Sequence, residues 1–119
     1  MINSEIIGLY NALMKISDSP LKFDAVTSFK LAKNKRTLQP IVEAIIEARQ
    51  TLFKKYNTSK SAEDPEIFIP NEKVPAFQEE YLNLLDTKVE VSLEKISLDS
   101  LKDIKIEMEL MENLIPMIE

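Results

Sequence analysis

The residues with the clearest chemical character in this sequence form a short stretch that we call the basic segment, Lys30 to Arg36. It supplies four cations and one amide as candidate interaction residues: Lys30, Lys33, Asn34, Lys35 and Arg36. Successive residues of a helix turn by about 100°, so the cations form a collar around the helix and do not line one face. A basic collar beside an aromatic side chain, here Phe29, can bind phosphate groups. The alternatives are a solvated helix face and a docking site for the acidic half of the chain, and we favour carboxylates over phosphates.

Asn34 differs from its neighbours because it falls on an apolar seam of the predicted helix. A polar residue at such a position can set helix register or the number of associating chains, since it requires a polar partner. Asn34 could instead cap a helix that breaks shortly afterwards. Both interpretations stay open at the level of sequence. A leucine at this position would change the oligomer size in the first case and only the stability in the second.

Five glutamates in the C-terminal half could suggest metal binding or acid–base catalysis: Glu79, Glu80, Glu107, Glu109 and Glu112. Paired carboxyl groups catalyse hydrolysis when an apolar pocket raises the pKa of one of them. These glutamates instead lie opposite apolar residues in amphipathic segments, which favours exposure to solvent. We therefore expect no catalytic residue, no metal site and no cofactor.

The composition excludes the chemistries that depend on cysteine or histidine. The 119-residue chain contains neither, so thiolate nucleophiles, imidazole catalysis, disulfides and the common zinc sites are ruled out. The length suits a single domain, 1–119. The first residues do not resemble a signal peptide, and no apolar run approaches the roughly 20 residues that span a bilayer. We expect a protein that is not an enzyme, located in the cytosol or in an assembly formed there.

The formal net charge of −5 conceals an asymmetry between the two halves of the chain. Residues 1–60 carry ten Lys and Arg against five Asp and Glu, whereas residues 61–119 carry five against fifteen. The halves should attract each other, within one chain or between chains, and salt should weaken that attraction. The acidic half could also imitate DNA as an inhibitor of a host defence protein.

The first predicted helix covers 4–17, with Asn3 or Ser4 as its cap and the turn-forming residues 17–20 at its end. Gly8 lies inside it, where glycine costs up to about 1 kcal/mol relative to alanine, and a close backbone contact would explain its presence. The spacing of three and four residues places the apolar side chains on one side: Ile2, Ile6, Leu9, Leu13 and Ile16.

A long second helix is predicted from Asp24, its cap, to Tyr56. Its apolar residues recur every seven positions and need a partner helix; they are Leu31, Leu38, Ile45 and Leu52. Pro40 removes a hydrogen bond and clashes with the preceding turn. We therefore expect a kink or a brief break near Leu38 to Pro40.

The C-terminal half predicts a polar loop over 57–64, a short edge strand at 67–69 and a helix over 74–85. Strict alternation of apolar and polar residues over 87–94 predicts a strand with one buried face. A last helix is expected over 107–115. The predicted fold is mainly α: an N-terminal helix packed on a long kinked helix, a third helix, a short β-hairpin or strand pair, and a short C-terminal helix.

The C-terminus is rich in methionine and other apolar residues: Met108, Met111, Leu114, Ile115, Met117 and Ile118. Such a tail can pack on its own core. It can also contact a neighbouring subunit, because thioether side chains adapt to varied surfaces.

Several phrases of the sequence, taken together, resemble a family of small uncharacterised proteins of tailed bacteriophages and prophages. The phrases are FKLAKNKRTL (29–38), EARQTLFKKY (47–56), IFIPNEKVPAFQEEYLNLL (67–85), TKVEVSLEKISLDSL (87–101) and MELMENLIPMIE (108–119). The chain departs from the family pattern at 58–64, where a glycine-containing acidic turn is replaced. The resemblance implies a phage origin and transfers no catalytic residue.

We therefore expect a non-enzymatic bacteriophage accessory or virion-associated structural protein that acts through protein contacts. Its partners would be other phage or host proteins, or further copies of the chain in a homo-oligomer or assembly, with no membrane. Its location would be the host cytoplasm or the virion. The alternatives are a nucleic-acid-binding regulator that uses the collar from Lys30 to Arg36, and an acidic inhibitor of a host defence protein.

Overall fold

The computed structural model describes residues 1–56 and 71–119, and in these ranges the chain is mainly helical. The predicted loop at 57–64 and edge strand at 67–69 lie outside the described residues. The α-helices are α1 (Asn3–Ser17), α2 (Ala25–Tyr56), α3 (Val74–Asp86) and α4 (Met108–Leu114). Short 3₁₀ turns cover Asn71–Lys73, Leu98–Leu101 and Ile115–Met117.

Helix α1 begins and ends close to the predicted positions, but its start is stabilised differently. The predicted cap at Asn3 or Ser4 is wrong: Ile2 occupies the N-cap position, and its N–H donates to Glu5 Oε1 at 3.0 Å. Asn3 is already inside the helix. Its amide turns sideways and donates to the carbonyl of Leu84 at 2.8 Å, so it joins α1 to α3.

Helix α2 is one continuous helix, so the brief break that was one of two expectations near Leu38 to Pro40 is wrong, while the other, a kink, stays a prediction. The predicted cap is confirmed, since Asp24 Oδ1 accepts from the Thr27 N–H at 2.7 Å and these hydrogen bonds lower the pKa of Asp24. Pro40 lies on the exposed side, and its lost hydrogen bond is tolerated because Leu38, on the opposite side, is buried. At 1.5 Å per residue the helix is about 48 Å long, nearly the full 53 Å length of the molecule.

The core lies between α1 and the first two thirds of α2, and the C-terminal segment closes it. The predicted apolar side of α1 is buried at Ile6, Leu9, Leu13 and Ile16, and the seam of α2 is buried at Leu31, Leu38 and Ile45. Leu114 and Met117 enter this core fully buried. The C-terminal tail therefore packs, in large part, on its own chain.

Helix α3 packs against the far end of α2 through aromatic side chains. Phe77 stacks on Phe53 with a centroid distance of 5.2 Å and meets the Tyr56 ring edge-on at 6.0 Å. Glu80 accepts hydrogen bonds from the Tyr56 hydroxyl and from Lys55. These two donors lower the pKa of Glu80. The outer part of the long helix thus has its own partner, beyond the reach of α1.

The predicted β-hairpin or strand pair is wrong for the described residues, which contain two isolated bridges and no sheet. The alternation over 87–94 is nevertheless visible in the burial pattern, because Val89, Val91 and Leu93 are half-buried while Glu90 and Ser92 are exposed. The segment is extended, with no neighbouring strand among the described residues. At one end it exchanges backbone hydrogen bonds with Met1, whose carbonyl accepts from the Val89 N–H at 2.7 Å.

The pairing is short because the chain on the other side leaves the extended conformation at once. Helix α1 starts at Asn3, which limits the N-terminal partner to a few residues. At the other end Ile96 bonds with the C-terminus, donating to the Met117 carbonyl at 2.9 Å and accepting from the Glu119 N–H at 2.9 Å. Both bridges therefore attach a chain end to the extended segment, and neither extends into a ladder of backbone hydrogen bonds.

Helix α4 packs across α1 at the position of Gly8. A Cβ atom built on Gly8 would lie 3.0 Å from Asn113 Oδ1 and 3.5 Å from Asn113 Cγ. The close approach that could explain the glycine is therefore made by a side chain of α4 and not by backbone. Within 1–56 and 71–119, no helix is both long and apolar enough to span a lipid bilayer.

The contact at Gly8 yields a test of the α1–α4 packing. Gly8→Ala should stabilise the protein by about 1 kcal/mol in an Asn113→Ala background, because alanine has the higher helix propensity and nothing obstructs its Cβ. In the wild-type background the gain should be smaller, since Asn113 must move. Urea unfolding of the four proteins in this double-mutant cycle measures the difference. Equal effects of Gly8→Ala in both backgrounds would contradict the contact.

Candidate functional site

The fold divides the basic segment between two sides of α2. Lys30, Lys33 and Asn34 contact the extended chain at Glu94 and Lys95. Lys35 and Arg36 lie on the other side, at a cleft formed with the end of α1. The sequence places these five residues in one collar, and the structure gives them two different environments.

Asn34 acts as a substitute for a neighbouring strand. Its Oδ1 accepts from the Glu94 N–H at 2.8 Å, and its Nδ2 donates to the Glu94 carbonyl at 2.9 Å. The side chain is 1% exposed, and its Nδ2 is also 3.5 Å from Met117 Sδ. Asn34 does not cap a helix end, because α2 continues to Tyr56. Its polar partner is a backbone of the same chain, which fixes the position of the extended segment along α2.

Lys33 and Lys30 accompany this amide with charged contacts. Lys33 Nζ lies 2.6 Å from Glu94 Oε1, and Lys30 Nζ donates to the Lys95 carbonyl at 2.9 Å. The hydrogen bond and charge of Lys33 lower the pKa of Glu94. Both side chains of the ion pair remain partly exposed, so its contribution to stability is small. At this point the basic half meets the acidic half within one chain.

The cleft on the other side of α2, which we call the basic cleft, has an apolar floor and a cationic rim. Its volume is about 480 Å³. Leu13, Ile16 and Leu31 form the buried part of the floor. Among the described lining residues Lys35 and Arg36 carry the only charges, and neither forms an ion pair with a described carboxylate.

The turn between α1 and α2 builds the wall of the basic cleft. Helix α1 ends where the Ser19 hydroxyl donates to the Ile16 carbonyl at 2.7 Å, and the same hydroxyl accepts from the Leu21 N–H at 3.3 Å. The chain then runs past Phe23, a half-buried lining residue, to the Asp24 cap. Lys35 reaches across the opening, with Nζ 3.4 Å from Ser17 Oγ.

The glutamates that suggested metal or acid–base chemistry fall into two groups, with Glu79 and Glu80 on α3, Glu109 and Glu112 on α4, and Glu107 at the N-cap of α4. Glu80 is engaged by Lys55 and Tyr56 at the α2–α3 contact, whereas Glu109 and Glu112 are exposed on α4. In the part of the chain that the structure describes, no three acidic side chains converge as ligands for a metal ion.

Comparison of the chain with protein-family models, with curated proteins and with solved structures finds no match. The phage setting thus remains an expectation that the sequence resemblance supports.

Sequence reasoning missed the floor of the basic cleft and the partner of Asn34. Leu13 and Ile16 were predicted as core residues, which they are, but their second role appears only when the turn at 17–24 brings Phe23 beside them. Glu94 carries no sequence signal as a partner, because Asn34 binds its backbone and any residue would offer the same groups.

The Asn34 contact predicts a large stability effect for a nearly isosteric change. Asn34→Leu should lower the free energy of unfolding by about 2–4 kcal/mol, because the partly buried N–H and C=O of Glu94 lose both partners. Urea denaturation measures the change, and Asn11→Leu on the exposed face of α1 is the control. A loss below about 0.5 kcal/mol would contradict the structural role. A change in molar mass by light scattering would point to control of oligomer size.

The Lys33–Glu94 pair predicts a pH dependence of defined sign. The folded pKa of Glu94 lies below the ordinary 4.5 of a glutamate, so the stabilisation by the pair is fully present above that value and disappears as the pH falls through the folded pKa. Lys33→Met should move the pKa of Glu94 upward and remove this dependence. Carbon-detected NMR titration of the Glu94 carboxyl group gives the pKa directly. Lys22→Met, at an exposed position, should leave it unchanged; an unchanged pKa in Lys33→Met would disprove the pairing.

Proposed function

We propose that the protein is a non-enzymatic bacteriophage accessory or virion-associated protein that acts through protein–protein contacts, with the basic cleft as its contact surface. The observation that carries the proposal is the combination of an apolar floor with two cations that no described carboxylate engages. The phage setting is supported by the sequence resemblance. The sites of action that go with it are the host cytoplasm or the phage particle.

The chemistry of the cleft favours an acidic amphipathic segment as its ligand. A volume of about 480 Å³ accommodates a few side chains. Apolar side chains of the partner would cover the half-buried lining residues Leu21 and Phe23, which lie beside the buried floor residues Leu13 and Ile16. Carboxylates beside them would pair with Lys35 and with the guanidinium of Arg36, whose planar fork binds a carboxylate through two parallel hydrogen bonds.

The same contacts weigh against the nucleic-acid alternative. A phosphate backbone is bound by cations that follow its path, and each contact releases counterions. Lys33 is paired with Glu94 and Lys30 with the Lys95 carbonyl, on the side of α2 away from the cleft. Lys35 and Arg36 alone remain together, so the collar from Lys30 to Arg36 offers no continuous track for a nucleic acid.

Sedimentation during infection by the phage that encodes the chain tests the proposal. The wild-type protein should sediment with phage particles or with a defined phage or host complex. The double reversal Lys35→Glu/Arg36→Glu should shift it to the free fraction, because the cationic rim becomes acidic. Lys102→Glu/Lys105→Glu, which reverses two exposed lysines elsewhere, is the matched control and should behave as wild type.

Two outcomes would contradict the protein-contact function. The first is a wild-type protein that stays in the free fraction throughout infection. The second is a Lys35→Glu/Arg36→Glu protein that sediments like the wild type. Retention of DNA by the purified protein at about 50 mM salt, lost in the same variant, would instead favour the nucleic-acid alternative.

A further inference from the structure

Helix α4 and the first residue of the 3₁₀ turn that follows it present an exposed surface, the acidic stripe, that combines apolar and acidic side chains. Its members are Met108, Glu109, Glu112 and Ile115. Met108 is 79% exposed and Ile115 is 61% exposed, which makes them two of the most exposed large apolar residues among those described. Met108, Glu112 and Ile115 follow the helical spacing of four and three and therefore lie on one face.

The acidic stripe and the basic cleft are complementary in charge, and both contain apolar surface. Apolar side chains flank the two carboxylates of the stripe, and an apolar floor adjoins the two cations of the cleft. From this match we propose that the acidic stripe of one copy of the chain docks into the basic cleft of a second copy. The inference rests on the proposed function, because it names the partner of the same cleft.

The packing of α4 prevents the stripe from reaching the cleft of its own chain. Asn113 of α4 lies close to Gly8 of α1, and Leu114 is fully buried on the face opposite the stripe. The cleft is lined by the last turn of α1, at Leu13 to Ser17. Docking within one chain would require Leu114 and Met117 to leave the core, whereas docking between copies exposes nothing.

Docking of one surface on a different surface constrains the form of the assembly. Each copy carries one stripe and one cleft, so two copies can satisfy each other reciprocally or a series of copies can close into a ring. An angle that does not close gives a filament. The contact between a two-turn helix and one cleft is small, which places it in the class of weak, concentration-dependent interfaces. Salt should weaken it, because charges at its rim remain exposed.

A charge exchange between two purified variants tests the inference. One variant carries Lys35→Glu/Arg36→Glu in the cleft, and the other carries Glu109→Lys/Glu112→Lys in the stripe. Multi-angle light scattering of the wild type should show a molar mass that rises with protein concentration and falls in about 0.5 M salt. Each variant alone should associate about tenfold more weakly, because cleft and stripe then carry the same sign.

The mixture of the two variants gives the decisive measurement. In an equimolar mixture, each contact between a cleft variant and a stripe variant joins opposite charges. The rise of molar mass with protein concentration should therefore reappear. The control Glu90→Lys, which reverses an exposed acid outside the stripe, should associate as wild type. Met108→Ser/Ile115→Ser removes the apolar part of the stripe and should also weaken association. Circular dichroism shows whether each variant is folded. If Glu109→Lys/Glu112→Lys is not folded, Met108→Ser/Ile115→Ser replaces it as the test of the stripe.

Three results would overturn the inference: a wild-type mass that stays monomeric up to about 1 mM, variants that associate like the wild type, or a mixture in which association does not return. The failure of this inference is distinguishable from failure of the proposed function. If the purified protein is monomeric but the cleft variant still loses its place in the sedimenting complex, a different acidic partner occupies the cleft. If neither experiment responds to the cleft variant, both proposals fall.

Discussion

The hydrogen bonds between the Asn34 amide and the backbone of Glu94 are the constraint on which the arrangement of the C-terminal half depends. A partly buried extended segment must satisfy its backbone groups, and in the described chain Glu94 does so through a side chain of α2 instead of a strand. This contact fixes where the segment crosses the long helix. Ile96, two residues further on, then binds the C-terminal residues, whose Met117 completes the core.

The same contact explains why the residues of the basic segment lie in two different environments. Once Glu94 lies over Asn34, Lys33 pairs with the Glu94 carboxylate and Lys30 donates to the Lys95 carbonyl. Lys35 and Arg36 project toward the end of α1 and form the rim of the basic cleft. The charge asymmetry of the sequence is therefore neutralised in part within the chain. The other two cations, Lys35 and Arg36, pair with no described carboxylate, and the acids of α4 are exposed.

The sequence predicted the helices of this protein better than their ends and the pairing of its extended segment. Sequence patterns predicted all four α-helices of the described ranges, since a stripe of apolar residues must be buried whatever the detailed topology. The predicted brief break near Pro40 is wrong because α2 continues through it, and the predicted cap at Asn3 is wrong because its amide binds Leu84 instead. The alternation at 87–94 matches the half-buried Val89, Val91 and Leu93 but not the exposed Thr87, and the strand pair it predicted is missing from the described residues, since alternation arises from one-sided burial alone.

The sequence by itself determined the helical class, the apolar faces, the Asp24 cap and the exclusion of cysteine and histidine chemistry. These properties depend on residue type and local spacing, which are readable along the chain. Only the tertiary structure decided which cations of the basic segment meet Glu94, which line a cleft, and which side of α4 stays exposed. Those outcomes depend on contacts between residues up to about 80 positions apart, such as Asn34 with Met117, and no local pattern encodes the distance between such groups.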